Sequence, residues 1–379
     1  MKKVLMLVSV VSMIDNFNMP NIKLLQEMGF EVEVACSFDD GAISNEKIEK
    51  IKGNLTSLGI KYHYIDFSRN VLKINKIIKA YKQVKKLINE REYAFIHCHA
   101  PIGGAVGRLA TRKSRTKCVY TAHGFHFFKG APMVNWMIYY NVEKYCSRFT
   151  DVLLTINQED FSRATKKFKA KKTEYIPGIG IDTEQFFKRE KTKEEKRREL
   201  EIPENAVLLL SIGELNKNKN HKVIIKAMAE INDPNMYYCI AGRGNLDEHL
   251  NALAEKLGVA QHVKLLGYRT DVKELYTSAD IFCFPSFREG LSVSLMEAMA
   301  NRLPCVVSGI RGNVDLIKDE ELICSPSDYG QFRTAIMRLI ENNQFCDKAG
   351  QENQENVKVF DIENVMIKMR EIYEEAGKS

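Results

Sequence analysis

Short apolar runs alternate with amphipathic patterns along the first half of the chain. The runs are rich in β-branched residues and read KKVLMLVSV, FEVEVAC, YAFIHCHA, CVYTAHG and DVLLTIN. Between them, apolar residues recur at helical spacing, as around 22–28 and 134–146. Strands that alternate with helices are typical of a parallel sheet covered on both faces. This half is therefore predicted to form one doubly wound α/β domain.

A second series of apolar runs follows the charged stretch KREKTKEEKRRELEIPEN. It reads AVLLLSIG, MYYCIAG, HVKLLG, DIFCFPS and PCVVSG, and a length of 379 residues also suits two domains. We therefore predict two doubly wound, Rossmann-like domains that face each other across a cleft. The predicted ranges are 1–182 for the first domain, 183–200 for a charged linker, 201–357 for the second domain and 358–379 for a C-terminal amphipathic helix.

The apolar run 4–14 follows two lysines and superficially resembles a secretory signal. Asp15 and Asn16 end it at once, and it is too short to span a bilayer and has no cleavage site, so a buried first strand is favoured. The nine cysteines lie mostly in strand-like runs without paired metal-ligand spacing. They indicate buried free thiols in a reducing compartment, and we predict a cytoplasmic protein.

The net charge is +7, and the basic residues gather at Lys73–Arg91, Arg163–Lys172 and Lys188–Arg198. The first stretch is an amphipathic helix with lysines on its outer faces. That surface is either a solvated face or a site of peripheral contact with anionic lipid at the inner face of the cell membrane. Nucleic acid is disfavoured, because no aromatic residues interleave with the lysines as in a binding platform.

The segment FPSFREGLSVSLMEAMANRLPCVVS carries the clearest chemistry. A strand ends, a loop presents Glu289 and Gly290, and a helix then runs through Glu297, eight positions after Glu289. Backbone N–H groups at the start of this helix, assisted by its dipole and by serine hydroxyls, suit phosphate oxygens. The two carboxylates suit sugar hydroxyls, although a capped helix with a solvated glutamate is the alternative. The helix start comprises Leu291, Ser292, Val293 and Ser294.

This segment closely resembles the E-x7-E signature of retaining glycosyltransferases of family 4, which have the GT-B fold, and the resemblance covers nearly the whole chain. It implies that Glu289 contacts the hydroxyls of the donor sugar and that Glu297 holds the ribose of the nucleotide. It also implies that the C-terminal helix returns to pack on the first domain.

The segment SIGELNKNKNH resembles the family's G-R-L-x-x-x-K loop, in which an arginine and a lysine neutralise the donor pyrophosphate. Lys219 matches the lysine, which would stabilise charge on the leaving diphosphate. Glu214 stands where the arginine is usual, and Lys217 or Arg288 are candidates to replace it. A solvated lysine-rich loop is the alternative.

The segment IAGRGNLDEHL resembles the family's G-x-G loop, where glycines allow close backbone approach to the nucleotide. The resemblance places the base, expected to be uridine-like, against the loop around Tyr268 and Arg269. The complete set of predicted donor-binding residues is Gly213, Lys219, Gly242, Gly244, Tyr268, Arg269, Glu289, Gly290, Leu291, Ser292, Val293 and Glu297.

His123 ends a predicted strand and matches the family histidine beside the reacting centre and the acceptor. His97 and His99 point to the same face of a strand, so two metal ligands are geometrically possible. No further ligand cluster accompanies them and no D-x-D triplet occurs, so we favour acceptor-side or packing roles and assign no metal. The predicted catalytic residues are His123, Lys219 and Glu289.

Three segments depart from the family pattern or add little to it. The first loop reads VSMIDNFNMP and lacks the usual glycine pair, which puts direct donor contacts by this loop in doubt. Gly178 replaces the asparagine of an interdomain I-P-N-G segment. Gly309 and Gly312 lie in a loop that either closes over the donor or simply turns.

The resemblance implies a retaining transfer of a hexosyl or N-acetylhexosaminyl group from a nucleotide-sugar, expected to be a UDP-sugar, without metal or cofactor. The expected acceptor is a hydroxyl of a saccharide, free or linked to polyprenyl diphosphate, in extracellular or capsular polysaccharide synthesis. One alternative is a nucleotide-sugar epimerase or hydrolase of the same fold. Another is a non-catalytic nucleotide-sugar-binding regulator of a membrane assembly, which Glu214 and the altered first loop suggest.

Overall fold

A parallel sheet forms the centre of each of the two units into which the chain divides. The computed structural model describes residues 1–39, 41, 43–68, 73–187 and 190–378, without the side chain of Phe187. Unit 1 comprises Met1–Gly180 with Glu363–Ser379, and unit 2 comprises Ile181–Ile362.

Unit 1 contains a seven-stranded sheet in the order β3-β2-β1-β4-β5-β6-β7, in which all neighbours are parallel. Its strands are β1 Lys3–Val10, β2 Glu31–Ser37, β3 Lys61–Tyr64, β4 Tyr93–His99, β5 Lys117–Ala122, β6 Val152–Thr155 and β7 Lys172–Tyr175. Its helices are α1 Met19–Glu27, α2 Asn45–Ser57, α3 Ile74–Arg91, α4 Pro101–Thr111, α5 Met133–Asn135, α6 Asn141–Cys146, α7 Gln158–Lys167 and, from the C-terminus, α16 Ile362–Gly377.

Unit 2 contains a six-stranded parallel sheet in the order β10-β9-β8-β11-β12-β13. Its strands are β8 Val207–Ile212, β9 Met236–Ala241, β10 Val263–Gly267, β11 Ile281–Phe284, β12 Cys305–Ser308 and β13 Ile323–Cys324. Its helices are α8 Lys193–Glu199, α9 Lys222–Ile231, α10 Asp247–Lys256, α11 Val272–Ser278, α12 Val293–Ala300, α13 Asn313–Leu316, α14 Tyr329–Glu341 and α15 Asn343–Val357.

The burial of the strands explains why the apolar runs are nearly continuous. Central strands such as β1 and β11 are buried along almost their whole length, whereas the edge strand β3 has mostly exposed side chains. A parallel sheet with helices on both faces buries both sides of its inner strands, and such strands read as apolar runs. The two predicted Rossmann-like sheets are confirmed.

The strand orders also indicate where ligands bind. In unit 1 the chain direction across the sheet reverses between β1 and β4, and in unit 2 between β8 and β11. Open parallel sheets bind ligands beyond the carboxyl ends of the strands at these switch points. A ligand site in unit 2 is therefore expected at the loops that follow β8 and β11.

Helix α16 packs on the sheet of unit 1. Its Tyr373 is fully buried, stacks on Phe95 at a ring-centroid distance of 5.7 Å and shares a 2.8 Å hydrogen bond with Nδ1 of His97. A residue of the C-terminal helix thus completes the packing on β4, which supplies both partners of Tyr373.

The range 183–200, predicted as a charged linker, differs in the structure. Lys188 and Arg189 lie outside the described residues, but the range also contains helix α8, which belongs to unit 2. Arg197 of this helix is buried and donates to the carboxylate of Asp280 at 2.6 Å and to the carbonyl of Ser278 at 3.0 Å. The high charge of α8 therefore reflects ion pairing buried within unit 2. Composition alone does not distinguish such charged residues from solvated ones.

All nine cysteines are free, and eight of them are buried, as the sequence predicts. Among the described residues, no helix combines the length and the apolar character needed to cross a membrane.

We predict that Tyr373→Phe destabilises unit 1. The substitution leaves Nδ1 of the buried His97 without its partner, and a buried polar atom that loses its hydrogen bond costs about 1–3 kcal/mol. Urea unfolding followed by circular dichroism measures the change. The control is Tyr62→Phe, since Tyr62 lies in the same unit with an exposed side chain. Equal stabilities of the two variants would contradict the assigned hydrogen bond.

Candidate functional site

An ion pair lies beyond the switch point of unit 2. Lys219, in the loop after β8, places its Nζ 2.9 Å from Oε1 of Glu289, in the loop after β11. Both side chains are mostly buried, with 18% and 15% of their surfaces exposed. The topology brings together two residues that are 70 positions apart because β8 and β11 are neighbours in the sheet.

The Lys219 side chain lies against Gly213 and the Phe284 ring. A Cβ atom at Gly213 would lie 3.1 Å from Cε of Lys219, so glycine leaves room for the aliphatic stem to cross. The ammonium group lies 4.6 Å from the centroid of the Phe284 ring, within the range of a cation–π contact. Gly213 therefore shapes the site by accommodating Lys219.

The loop of Glu289 is held by the loop that follows β12. Nε of Arg311 donates to the carbonyl oxygen of Glu289 at 3.0 Å. Gly312 has a φ of +80°, and a Cβ atom there would overlap the carbonyl oxygen of Gly290. The glycine-containing segment around Gly309 and Gly312 is thus packed directly against the carboxylate loop.

Helix α12 begins immediately after this loop. Ser292 is its N-cap, and its Oγ accepts a hydrogen bond from the N–H of Leu295 at 3.3 Å. Val293 is the first helical residue, and Leu291 packs against the core of unit 2. The first N–H groups and the positive end of the helix dipole therefore lie beyond the end of β11, beside Glu289, where they favour an anion.

Glu297 lies one turn further along α12. Its Oε2 accepts a 2.9 Å hydrogen bond from the hydroxyl of Tyr276, a fully buried residue of α11. Burial raises the pKa of the Glu297 carboxyl above its usual value, while the Tyr276 hydroxyl and the nearby Lys273 act in the opposite direction. A carboxylate that is costly to ionise in place is typical of a functional position.

Gly242 and Gly244 allow close packing of two loops. Cβ atoms at these positions would overlap the carbonyl oxygens of Gly213 and Leu215, respectively. Both glycines therefore let their loop pack against the loop after β8, which carries Lys219. The close approach to a nucleotide that the resemblance implies stays a prediction.

Tyr268 and Arg269 follow β10 and differ from each other. Tyr268 is 65% exposed, and the guanidinium of Arg243 lies 5.7 Å from its ring centroid. Arg269 instead donates to Asp271 at 2.7 Å and to Glu199 of α8 at 2.8 Å, and these two carboxylates raise its pKa. Its guanidinium is engaged in an ion network, whereas the Tyr268 ring is exposed.

Lys217 and Arg288, the candidates to replace the usual arginine at position 214, are both exposed. Glu214 is exposed, and its carboxylate accepts from Asn216 at 2.8 Å. Lys217 lines a separate cavity of about 500 Å³ together with His249 and Leu250 of α10. Arg288 is exposed at the loop surface. Lys219 is the cation that the structure pairs with Glu289.

The three predicted acceptor-side histidines form one cluster in unit 1, at the carboxyl ends of β4 and β5. Nδ1 of His99 lies 3.0 Å from Nε2 of His123, and the rings of His97 and His99 are 4.1 Å apart. Burial lowers the pKa of His123 to about 4 and that of His97 to about 3. The cluster is therefore uncharged near neutral pH.

The loop after β1 approaches this cluster. It forms a π-helical turn at Ile14–Asn18, and the ring of Phe17 lies 5.8 Å from that of His123. The aromatic side chain of Phe17 thus lies in the loop where the family usually has glycines.

The histidines are already engaged with protein partners. His97 hydrogen bonds to Tyr373 and, through Nε2, to Oγ1 of Thr121 at 2.8 Å. Within the described ranges, no group of three His, Cys, Asp or Glu side chains is arranged to hold a metal ion. His97 and His99 therefore have packing and orienting contacts in this structure.

Comparisons with known proteins identify the family. The family model described as "Glycosyl transferases group 1" matches residues 192–356, and "Glycosyl transferase 4-like" matches residues 3–157. The chain is also 35% identical over 381 residues to the protein named "Putative glycosyltransferase EpsD" of Bacillus subtilis (strain 168), covering 98% of this chain and 96% of EpsD. The chain belongs to the family 4 glycosyltransferases.

Other similarities extend along the whole glycosyltransferase. A UDP-Gal:α-D-GlcNAc-diphosphoundecaprenol α-1,3-galactosyltransferase of Escherichia coli is 24% identical over 97% of this chain and 95% of its own. The solved structure of HepE from Anabaena in complex with UDP has a TM-score of 0.78 at 18% identity, covering 99% of this chain and 100% of HepE. This structural similarity confirms the GT-B fold.

Several residues of the glycosyltransferase site have no signal in the sequence. Tyr276 and Phe284 lie in apolar segments that look like ordinary core, and only the structure shows that they contact Glu297 and Lys219. Arg311 stands between two glycines in a segment that is equally consistent with a turn, and Phe17 lies in a loop considered only for its lack of glycine. Tyr276 and Phe284 could not be identified as site residues from the sequence, because aromatic residues are common in protein cores.

We predict that Glu297→Gln stabilises the folded protein while weakening donor binding. The raised pKa means that the ionised carboxylate destabilises the folded state. This penalty is absent below about pH 4.5, grows through the raised pKa and is complete above it. The stability of the variant relative to wild type should therefore rise with pH, as urea unfolding at several pH values measures. A pH-independent difference would contradict this.

Proposed function

We propose that this glycosyltransferase moves a hexosyl or N-acetylhexosaminyl group from a UDP-sugar to a saccharide hydroxyl, with retention of anomeric configuration and without a metal ion. The observation that carries the proposal is the Lys219–Glu289 pair beside the N-terminus of α12. A cation and helix N–H groups suit a diphosphate, and a carboxylate suits the hydroxyls of the attached sugar. One site in unit 2 thus offers complementary groups to both parts of a nucleotide-sugar.

Each residue has a specific role in this proposal. Lys219 neutralises the diphosphate as the bond between the sugar C1 and the phosphate oxygen breaks, when negative charge on that oxygen increases. Glu289 holds the sugar by accepting hydrogen bonds from its hydroxyls. Glu297, oriented by Tyr276, accepts hydrogen bonds from the ribose. Tyr268 provides an exposed aromatic surface for the uracil base.

The acceptor hydroxyl forms the new bond to C1 on the face that the diphosphate leaves, and its proton passes to the departing phosphate oxygen. This route needs no protein base. His123 is neutral, and its Nε2 contacts His99, so we propose that it orients the acceptor by hydrogen bonding with its remaining ring nitrogen. The first unit therefore supplies acceptor contacts and the second supplies donor contacts.

A lipid-linked saccharide is the proposed acceptor. The E. coli relative is named for transfer from UDP-galactose to a diphosphoundecaprenol-linked sugar, and a Campylobacter jejuni relative is named for transfer to another diphospho-undecaprenol-linked sugar. We propose a corresponding polyprenyl-diphosphate acceptor for this chain, in the assembly of an extracellular or capsular polysaccharide on the cytoplasmic side of the membrane.

A donor screen tests the proposed function. UDP-, GDP-, ADP- and dTDP-sugars are titrated by calorimetry with EDTA or with magnesium, and products are followed with and without a diphosphoprenyl-linked saccharide. We expect binding of one UDP-sugar in EDTA and transfer only when the acceptor is present. Sugar release or isomerisation without an acceptor would indicate a hydrolase or epimerase. Donor binding without any turnover would indicate a regulator, and either result would refute the proposal.

We predict that Lys219→Ala lowers kcat by at least about 100-fold, because an electrostatic group that stabilises developing charge in a partly buried site contributes on that scale. The matched control is Lys217→Ala, which removes a lysine of the same loop that lines a different cavity. Steady-state kinetics and unfolding curves are measured for both variants. Equal activities with intact folding would exclude Lys219 from the site.

A further inference from the structure

An uncovered apolar face runs along one helical segment of unit 1. Helices α5 and α6 are joined by the π-helical turn Trp136–Tyr140, so that residues 133–146 form one continuous segment. Met133 and Met137 are 74% and 68% exposed. The full set of exposed apolar side chains, here called the 133–145 face, is Met133, Val134, Met137, Ile138, Val142 and Tyr145.

The opposite side of the segment is anchored in the core, which fixes the direction of this face. Trp136 and Tyr140 pack on Phe127, with ring centroids 5.6 and 5.3 Å away. Glu143 is buried and lies 2.8 Å from the guanidinium of the fully buried Arg108. The segment therefore cannot turn its apolar residues inward without breaking a buried ion pair.

The exposed charged side chains within residues 128–148 are all basic, and the nearby Glu159, which accepts from the N–H of Lys129 at 3.0 Å, is paired with Arg163. Glu143 is the only acidic residue between positions 128 and 148, and its carboxylate is internal. Lys129, Lys144 and Arg148 are exposed in the same stretch. Lys144 and Arg148 lie near the rings of Tyr140 and Tyr145, at 5.6 and 5.9 Å from the centroids. Apolar and aromatic side chains with a basic rim are typical of helices that lie in a membrane interface.

We propose that the 133–145 face docks this protein on an anionic phospholipid bilayer, with the methionines among the acyl chains and the basic rim at the headgroups. A second copy of the chain fits less well. A two-fold symmetric contact would set the same basic rim against itself, whereas anionic headgroups complement it.

The face is physically connected to the acceptor-side histidines. Nδ2 of Asn135 donates to the carbonyl oxygen of His126 at 2.8 Å, and the His126 ring stacks on Tyr139 at 4.7 Å. His126 lies three residues after His123 in the same loop. Docking through this face would hold the carboxyl edge of the first sheet near the bilayer. The benefit for catalysis rests on the proposed polyprenyl-linked acceptor, but the docking itself does not.

The basic helix α3 is a weaker candidate for this contact than its sequence suggests. Lys76 and Lys79 lie 3.1 and 2.8 Å from the carboxylate oxygens of Asp66, so part of its charge is neutralised within unit 1. Its exposed apolar residues, Ile74 and Ile78, are also fewer than those of the 133–145 face.

Vesicle co-sedimentation tests the proposal with the full-length protein. Vesicles contain phosphatidylcholine alone or with phosphatidylglycerol, and the test variant is Met133→Ser with Met137→Ser. The matched control is Ile367→Ser, which removes an exposed apolar residue of α16. A second variant, Lys129→Gln with Lys144→Gln and Arg148→Gln, tests the charge. Unfolding curves and light scattering report folding and oligomeric state.

We expect binding to anionic vesicles that falls at least about tenfold in each test variant and stays unchanged in Ile367→Ser, since each buried methylene adds to membrane affinity. Unchanged binding of the methionine variant would overturn the proposal, and so would a wild-type dimer that this variant converts to a monomer. Donor binding, measured separately, should be the same in all variants. Its absence in wild type would refute the proposed function while leaving the vesicle result intact.

Discussion

Parallel strand pairing is the constraint on which the rest of this structure depends. Each crossover brings the chain back to the same end of the sheet, where the next strand begins. The loops that follow the strands therefore all lie at the opposite end, beyond the carboxyl ends of the strands. Lys219 and Glu289 meet only because β8 and β11 are neighbours at the point where the order reverses. The same constraint brings His99 and His123 together at the ends of β4 and β5 in the other unit.

The groups of the candidate site differ in their partners. Lys219 and Glu289 form an ion pair whose side chains are both mostly buried. Glu297 instead meets the neutral hydroxyl of Tyr276, and burial raises its pKa. The glycines around these groups give the loops their close packing, because carbonyl oxygens occupy the space that side chains would need.

The sequence was sufficient for the parts of the molecule that depend on local patterns. Continuous apolar runs predicted both sheets, and the sequence placed Glu289 on a loop and Glu297 on the following helix, as in the structure. The roles of these two carboxylates at a donor stay predictions. The sequence was insufficient where a side chain binds a partner that is distant in the sequence. Arg269 pairs with Glu199, and Arg197 is buried on Asp280 instead of being solvated in a linker. These choices depend on tertiary neighbours that no local pattern encodes.

The contact between Tyr373 and the centre of the first sheet has a consequence for how the protein is made. During synthesis on the ribosome, His97 of β4 emerges 276 residues before Tyr373 of the helix that covers it. Until then Phe95 lacks its stacking partner and His97 lacks one hydrogen bond. The second unit, whose strands and helices are contiguous in the chain, has no such dependence. Unit 1, whose strands are synthesised before unit 2, is therefore completed only after unit 2.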